Sequence, residues 1–199
     1  MTDKRQARRR LRGLRRSVPD KAERAAALTA RLRTWLAETD PGSRTDVIAA
    51  YAATPDEPSL DDWCEAARGE GRAVAFPTCL EGGGLAWTRI ESTAEFTVGR
   101  HGLREPRADV AETPGRTVEL VQIATVLVPG LGFSATGTRL GQGGGYYDRF
   151  LASWRSARPD GSAVGIAFDA QIVDTLPQDP HDAPVDVVIT ESRTIRCQA

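Results

Sequence analysis

Apolar residues recur along this chain with two periods, and those periods lay out the expected elements. Ala7, Leu11 and Leu14 fall at i, i+4 and i+7, which predicts a helix over residues 3–16 with a narrow apolar stripe. Ser17 is then expected to cap a second helix, with Pro19 and Asp20 in its first turn. That helix should run to about Glu38 and bury Leu28, Leu32, Trp35 and Leu36, with Asp40-Pro41-Gly42-Ser43 ending it. Asp46 to Ala52 reads as a buried strand. Ser59 should cap a third helix whose Leu60, Trp63, Cys64 and Ala67 share one face, closed by Gly69 and Gly71. Arg72 to Phe76 reads as the next strand, and this strand-helix-strand order favours parallel pairing with a right-handed crossover.

Short strands are expected near Leu85–Ile90 and Glu95–Val98, and a loop over Thr113–Glu119. Leu120 to Val128 is the strongest strand pattern, rich in β-branched residues and stopped by Pro129-Gly130. A glycine-rich loop leads into a helix from about Tyr146 to Trp154. Ala163–Phe168 and Val185–Thr190 complete the strands. With no internal repeat or linker, residues 1–199 read as one α/β domain: a mostly parallel sheet with helices on both faces, in three layers.

Composition narrows the setting. At 199 residues, with 40% hydrophobic and 27% charged, the chain is long enough and apolar enough to bury a core. No run approaches the roughly 20 apolar residues of a membrane-spanning helix, and the basic N-terminal stretch lacks the apolar centre of a secretory signal. Cys64, Cys79 and Cys197 are odd in number and show no Cys-x-x-Cys spacing, which argues against a disulfide framework or a structural zinc. The expectation is a cytosolic protein with no membrane partner.

Charge changes the picture more. The net charge is −1, yet residues 1–19 carry Lys4, Arg5, Arg8, Arg9, Arg10, Arg12, Arg15 and Arg16 against Asp3 alone. A basic arm on an acidic body suits an anionic ligand, although arginine-rich helices are often only solvated faces. Nucleic acid is not expected as a partner, because the rest of the surface is acidic and no nucleic-acid motif occurs.

The chemistry concentrates at Arg139-Leu140-Gly141-Gln142-Gly143-Gly144-Gly145-Tyr146-Tyr147-Asp148. Open α/β sheets bind ligands beyond the carboxyl ends of their strands, and this segment follows the strongest one. Three successive glycines before a helix let backbone N–H groups converge on an anion; a flexible connector is the bland alternative. Arg139 suits a bidentate phosphate contact. Tyr146 and Tyr147 suit either the core or a flat ring. Asp148 suits either the helix dipole or Mg²⁺. Gly130-x-Gly132-x-x-Ala135 imitates a dinucleotide fingerprint, but Gly137 and Thr138 stop a helix from starting there. His181-Asp182 in a Pro-rich loop reads as a turn rather than a catalytic pair.

Residues 139–149 closely resemble the signature of 5-formyltetrahydrofolate cyclo-ligases, also called methenyltetrahydrofolate synthetases. The resemblance extends to Lys4-x-x-x-Arg8 with Arg15-Arg16, Tyr51 through Glu57, Gly102-Leu103-Arg104-Glu105-Pro106, and Leu176-Pro177 with Pro180-His181-Asp182-x-Pro184-Val185-Asp186. It implies ATP- and Mg²⁺-dependent closure of 5-formyltetrahydrofolate to 5,10-methenyltetrahydrofolate through a phosphorylated formyl group, by a monomeric enzyme. By resemblance, ATP is held by Lys4, Arg8, Arg139, Leu140, Gly141, Gln142, Gly143, Gly144, Gly145, Tyr146 and Tyr147, with Arg139 the catalytic cation. Ala52, Glu57, Gln142, Gly143, Gly144, Gly145 and Tyr146 would contact the reduced folate, Glu57 accepting from the pterin's donors. Asp148 and Asp186 would hold the metal. The chain departs from the pattern at three points. Gln142 stands where many relatives carry a larger or charged residue, Gly144 where some carry Lys, and His101 where an aromatic is common.

Overall fold

The structure, a computed structural model, describes residues 3–39, 46–99 and 102–197. Its elements in chain order are α1 (Lys4–Arg16), α2 (Lys21–Thr39), β1 (Val47–Ala49), α3 (Asp61–Gly69), β2 (Ala73–Cys79), β3 (Leu85–Arg89), β4 (Phe96–Val98), β5 (Arg104–Pro106) and α4 (Ala108–Ala111). There follow β6 (Thr117–Val118), β7 (Ile123–Pro129), β8 (Gly132–Phe133), β9 (Arg139–Leu140), α5 (Tyr146–Ala157), β10 (Ser162–Ile166), β11 (Val187–Ile189) and β12 (Thr194–Arg196).

Eight strands form one sheet in the order β12-β11-β10-β7-β1-β2-β3-β6. The five from β11 to β2 pair in parallel, and the outer strands β12, β3 and β6 add on antiparallel. Alternation along each strand assigns its side chains to two layers. Ile48, Val74, Phe76, Leu127 and Val164 pack with Leu28, Leu32 and Trp35 of α2 and Trp63 of α3. Val47, Ala49, Ala75, Val126 and Ala163 face the other way and pack with Phe150, Leu151 and Trp154 of α5. Helices therefore cover both faces, as the α/β reading anticipates. Among the described residues no helix is long and apolar enough to cross a membrane.

The chain fills the sheet outward from β1, first through β2 and then, after returning, through β7 and beyond. The winding direction reverses between β1 and β7, so a crevice opens at the carboxyl ends of those two strands. Ala50, Tyr51 and Ala52 leave β1 there, and Pro129 and Gly130 end β7 there.

Several expected boundaries move. Ser17 does not start α2; its N–H bonds Gly13 O at 3.1 Å and its hydroxyl bonds Leu14 O at 3.0 Å, so it closes α1. Asp20, at φ 49°, enters α2, a left-handed conformation that Asp tolerates better than most residues. Leu120–Gln122 form a 3₁₀ turn, with the Gln122 side chain accepting from Glu119 N–H at 2.9 Å, which shortens the expected strand to β7. Ala135 sits in the turn between β8 and β9, so the dinucleotide-like glycines lead into a hairpin and not a helix. Asp40-Pro41-Gly42-Ser43 and His101 lie outside the described residues.

Candidate functional site

A cavity of about 740 Å³ occupies the crevice between β1 and β7. Its floor is the sheet end: Tyr51 and Ala52 after β1, Pro77 and Cys79 from β2, Pro129 and Gly130 from β7. One wall is the loop Gly141–Gly145 with the first residues of α5, and another includes Lys4 and Arg8 of α1.

The loop takes its shape from backbone conformations that side chains resist. Gly143 has φ 113° and Gly145 has φ 68°, and Gly145 is the residue from which α5 starts. Arg149 N–H bonds Gly145 O at 3.1 Å, and the Arg149 guanidinium holds Gly83 O and Gly144 O while lying 5.5 Å over the Tyr146 ring. The helix is fixed from behind by the Trp154 indole, which donates to Ile123 O at 2.9 Å.

Helix α1 reaches this site because its apolar stripe docks: Ala7 and Leu11 pack with Leu131 and Leu140. Successive turns then attach to successive parts of the rim. Lys4 Nζ pairs with Asp179 at 2.7 Å and Asp182 at 2.5 Å. Arg8 Nε donates to Gly141 O at 3.1 Å, and Arg12 donates to Gln142 Oε1 at 2.8 Å. Arg15, only 3% exposed, donates to Glu57 Oε1 at 2.8 Å. The Glu57 Oε2 accepts from the Thr54 N–H at 3.0 Å and the Thr54 hydroxyl at 2.9 Å. Glu57 is thus oriented by this chain's own donors, leaving it part of its four-site acceptor capacity.

Arg139, 5% exposed, gives Nη2 to Asp148 Oδ1 at 2.6 Å and lies 5.8 Å over the Tyr147 ring. Among the described residues, its Nε and the Tyr147 hydroxyl are buried without a hydrogen-bond partner. Burial pushes the Tyr147 phenol far above its ordinary pKa, so it stays protonated as a donor. Two orphaned donors beside a cavity are what an acceptor-rich ligand would satisfy. Around Lys4, burial disfavours its ammonium, but the hydrogen bonds it donates to Asp179 and Asp182 outweigh that and raise its pKa. Burial likewise disfavours the Asp182 carboxylate, and the Lys4 ammonium and the Asp179 N–H reverse that and lower its pKa.

Of the residues named from sequence, Lys4, Arg8, Ala52, Glu57, Arg139, the whole of 140–147 and Asp148 line this one cavity. Asp186 does not. Its Oδ1 pairs with Arg155 at 2.9 Å and its Oδ2 accepts from Ala163 N–H at 2.7 Å, so the carboxylate ties β11 to β10 and α5. The structure therefore does not bring the expected Asp148–Asp186 metal pair together in the lining of this cavity. Asp148 retains Oδ2 without a hydrogen bond among the described residues, since Arg139 and Ala183 N–H both go to Oδ1. Nearby, ligand atoms of Asp179, His181 and Asp182 lie within 4.8 Å of one another, with the Lys4 ammonium on both carboxylates. Asp182 N–H bonds Asp179 O at 3.0 Å, the turn expected there. Sequence reading gave no role to Tyr51, Cys79, Leu85, Arg104 or Glu105, which also line the cavity.

The family model described as the 5-formyltetrahydrofolate cyclo-ligase family matches residues 1–191. A 5-formyltetrahydrofolate cyclo-ligase of Mycolicibacterium smegmatis is 30% identical over 195 residues, covering 91% of this chain and 90% of that protein. One from Escherichia coli is 31% identical over 125 residues, covering 62% of this chain and 65% of the relative. The match therefore spans a little under two thirds of the Escherichia coli protein. The solved structure of Aquifex aeolicus 5,10-methenyltetrahydrofolate synthetase superposes with a TM-score of 0.76 at 28% identity, over 98% of this chain and 93% of that one.

Proposed function

The chain belongs to the 5-formyltetrahydrofolate cyclo-ligase family, and on that premise we propose that it uses ATP to close 5-formyltetrahydrofolate to 5,10-methenyltetrahydrofolate. The carrying observation is convergence. Lys4 and Arg8 from the start of the chain, Arg139, and the Gly141–Gly145 loop meet at one cavity whose other wall holds Ala52 and Glu57. Cations and backbone amides line one part of it, Lys4 and Arg139 held by Asp182 and Asp148, and the Glu57 carboxylate lines another.

The chemistry divides along that line. The formyl oxygen on N5 attacks the γ-phosphorus, ADP leaves, and an iminium phosphate forms. The N10 nitrogen attacks its carbon, loses its proton, and the C–O bond to phosphate breaks, giving the methenyl bridge and inorganic phosphate. Phosphoryl transfer of this kind depends on positioning and charge neutralisation more than on a protein nucleophile. Arg139, fixed by Asp148, supplies a pre-set charge, and Lys4 and Arg8 extend it along the phosphates. The phenol of Tyr147 offers a neutral donor, and Glu57, set by Arg15 and Thr54, accepts from the pterin.

Mg²⁺ fits this site in part. A phosphate-bound magnesium takes few protein ligands, and the Asp148 Oδ2 is available for one such bond, while Asp186 is committed elsewhere. The metal would supply charge neutralisation on the phosphates. We further read residues 1–199 as one domain acting as a cytosolic monomer.

The test is purified protein with 5-formyltetrahydrofolate, ATP and Mg²⁺, following methenyl absorbance. A rise that requires both ATP and metal is the expected result. No rise, with ATP bound, would mean a different substrate in the same pocket.

A further inference from the structure

Among the described residues, Glu105 is a buried carboxylate of the cavity wall that lies in a family-like segment but has no role in the resemblance or in the proposed mechanism. It belongs to β5, the inner strand of the ribbon with β4 that packs on β2. It is 7% exposed and lines the cavity. Its Oε1 accepts the Cys79 N–H at 3.3 Å, a long bond, and no ion pair reaches it among the described residues. Its outer side is closed by Gly99, where a Cβ would stand 2.2 Å from Oε2. A carboxylate offers about four acceptor sites and is costly to bury unless they are filled. Glu57, in contrast, already has Arg15 and both Thr54 donors.

We infer that Glu105 is a second substrate-recognising carboxylate, accepting hydrogen bonds from the ring N–H and amino donors of the bound pterin. This rests on the folate reading above. A reduced pterin carries several N–H donors on adjoining edges, more than Glu57 alone has free acceptors to meet. The same buried charge repels the carboxylates at the glutamate end of a folate, so Glu105 also fixes which end of the substrate enters. Leu85, Leu103 and Pro77 beside it give the flat ring an apolar surround.

The experiment is Glu105→Gln in the full chain. Glutamine keeps an oxygen for the Cys79 N–H but turns a donor toward the pterin's donors. The dissociation constant of 5-formyltetrahydrofolate, measured by calorimetry without ATP, should rise about tenfold or more, and the folate KM with it. The ATP KM and the thermal midpoint should stay at wild-type values. Glu105→Asp, which withdraws the carboxylate by one methylene, should weaken folate binding in the same direction and serves should Glu105→Gln fail to fold. Unchanged folate binding in either variant that melts like wild type overturns the inference and leaves Glu105 as an anchor of β5 to β2. A wild type that binds no reduced folate overturns the function reading, and this inference with it.

Discussion

Strand β7 and helix α1 border the same cavity but are held by opposite kinds of force. In β7, Ile123, Val126, Leu127 and Val128 are fully buried between β1 and β10, and no charged side chain is needed to keep them there. Helix α1 buries only a narrow stripe, and its position is set by Lys4, Arg8, Arg12, Arg15 and Arg16, each bonded to a different rim residue. The difference bears on function. A phosphate-bearing ligand cannot compete with β7 for its neighbours. It can compete with Asp179 and Asp182 for Lys4, because carboxylate and phosphate ask the same thing of an ammonium. The scaffold is insensitive to the ligand and the rim is exchangeable with it.

The largest expected effect breaks the scaffold. Leu127→Ala should cost about 2–5 kcal/mol in urea unfolding through the cavity it leaves, with the ATP and folate KM of the folded fraction unchanged. Arg15→Ala probes where the comparison fails. Arg15 and Glu57 side chains are 4% and 11% exposed, so removing the cation strands a buried carboxylate and should cost roughly 3 kcal/mol, a core-like loss from a rim contact. The same variant should raise the folate KM, since Glu57 loses its orientation. A loss below about 1 kcal/mol would place Arg15 with the exchangeable contacts instead.

Lys4→Ala should cost only about 1 kcal/mol in the same assay but raise the ATP KM severalfold, whereas Asp182→Asn should lower it by freeing Lys4. This pair also has a pH signature. Asp182 has a folded pKa below its ordinary 3.8, so it binds fewer protons folded than unfolded. Its contribution is complete above about pH 4 and fades as pH falls through the folded value. Asp182→Asn should therefore flatten the acid limb of a stability-versus-pH curve by lowering stability at neutral pH, where the charge contributes, and leaving it unchanged at pH values below the folded pKa. The smallest effect belongs to Arg33 and Glu70, 3.8 Å apart and both more than half exposed. Glu70→Ala should change stability by under about 0.5 kcal/mol, setting the floor for an ion pair that holds nothing.

The same contrast explains what the sequence made legible. Leu28, Leu32, Trp35 and Leu36 announce α2 by their period, and all four are buried. The β-branched run before Pro129 announces the centre of the sheet, and the glycines before Tyr146 announce the loop, since both signals are local in the chain. Strands of two or three residues, such as β5, β8, β9 and β12, are too short for any period to emerge. Contacts between distant charges leave no local trace either. Nothing near Arg15 points to Glu57, nothing near Asp186 points to Arg155, and nothing in Arg104-Glu105-Pro106 tells which charge turns inward. Glu105 is buried on a ribbon whose position depends on β2, so only the assembled fold distinguishes it from a surface glutamate.

The Lys4–Asp182 contact joins residues 178 positions apart. On a growing polypeptide, α1 emerges with no rim to hold: Glu57 follows early, Gly141 much later, Asp179 and Asp182 last. Contacts of such long sequence separation form late, after the loop entropy they enclose has been overcome by the strands between them. A nascent chain can thus build β1, α3 and β2 while Lys4 still lacks its partners at Asp179 and Asp182. A complete rim becomes a report that synthesis has passed the Asp179–Asp182 turn, and a chain cut before that turn should keep much of its sheet and lose the Lys4 end of the α1 attachment.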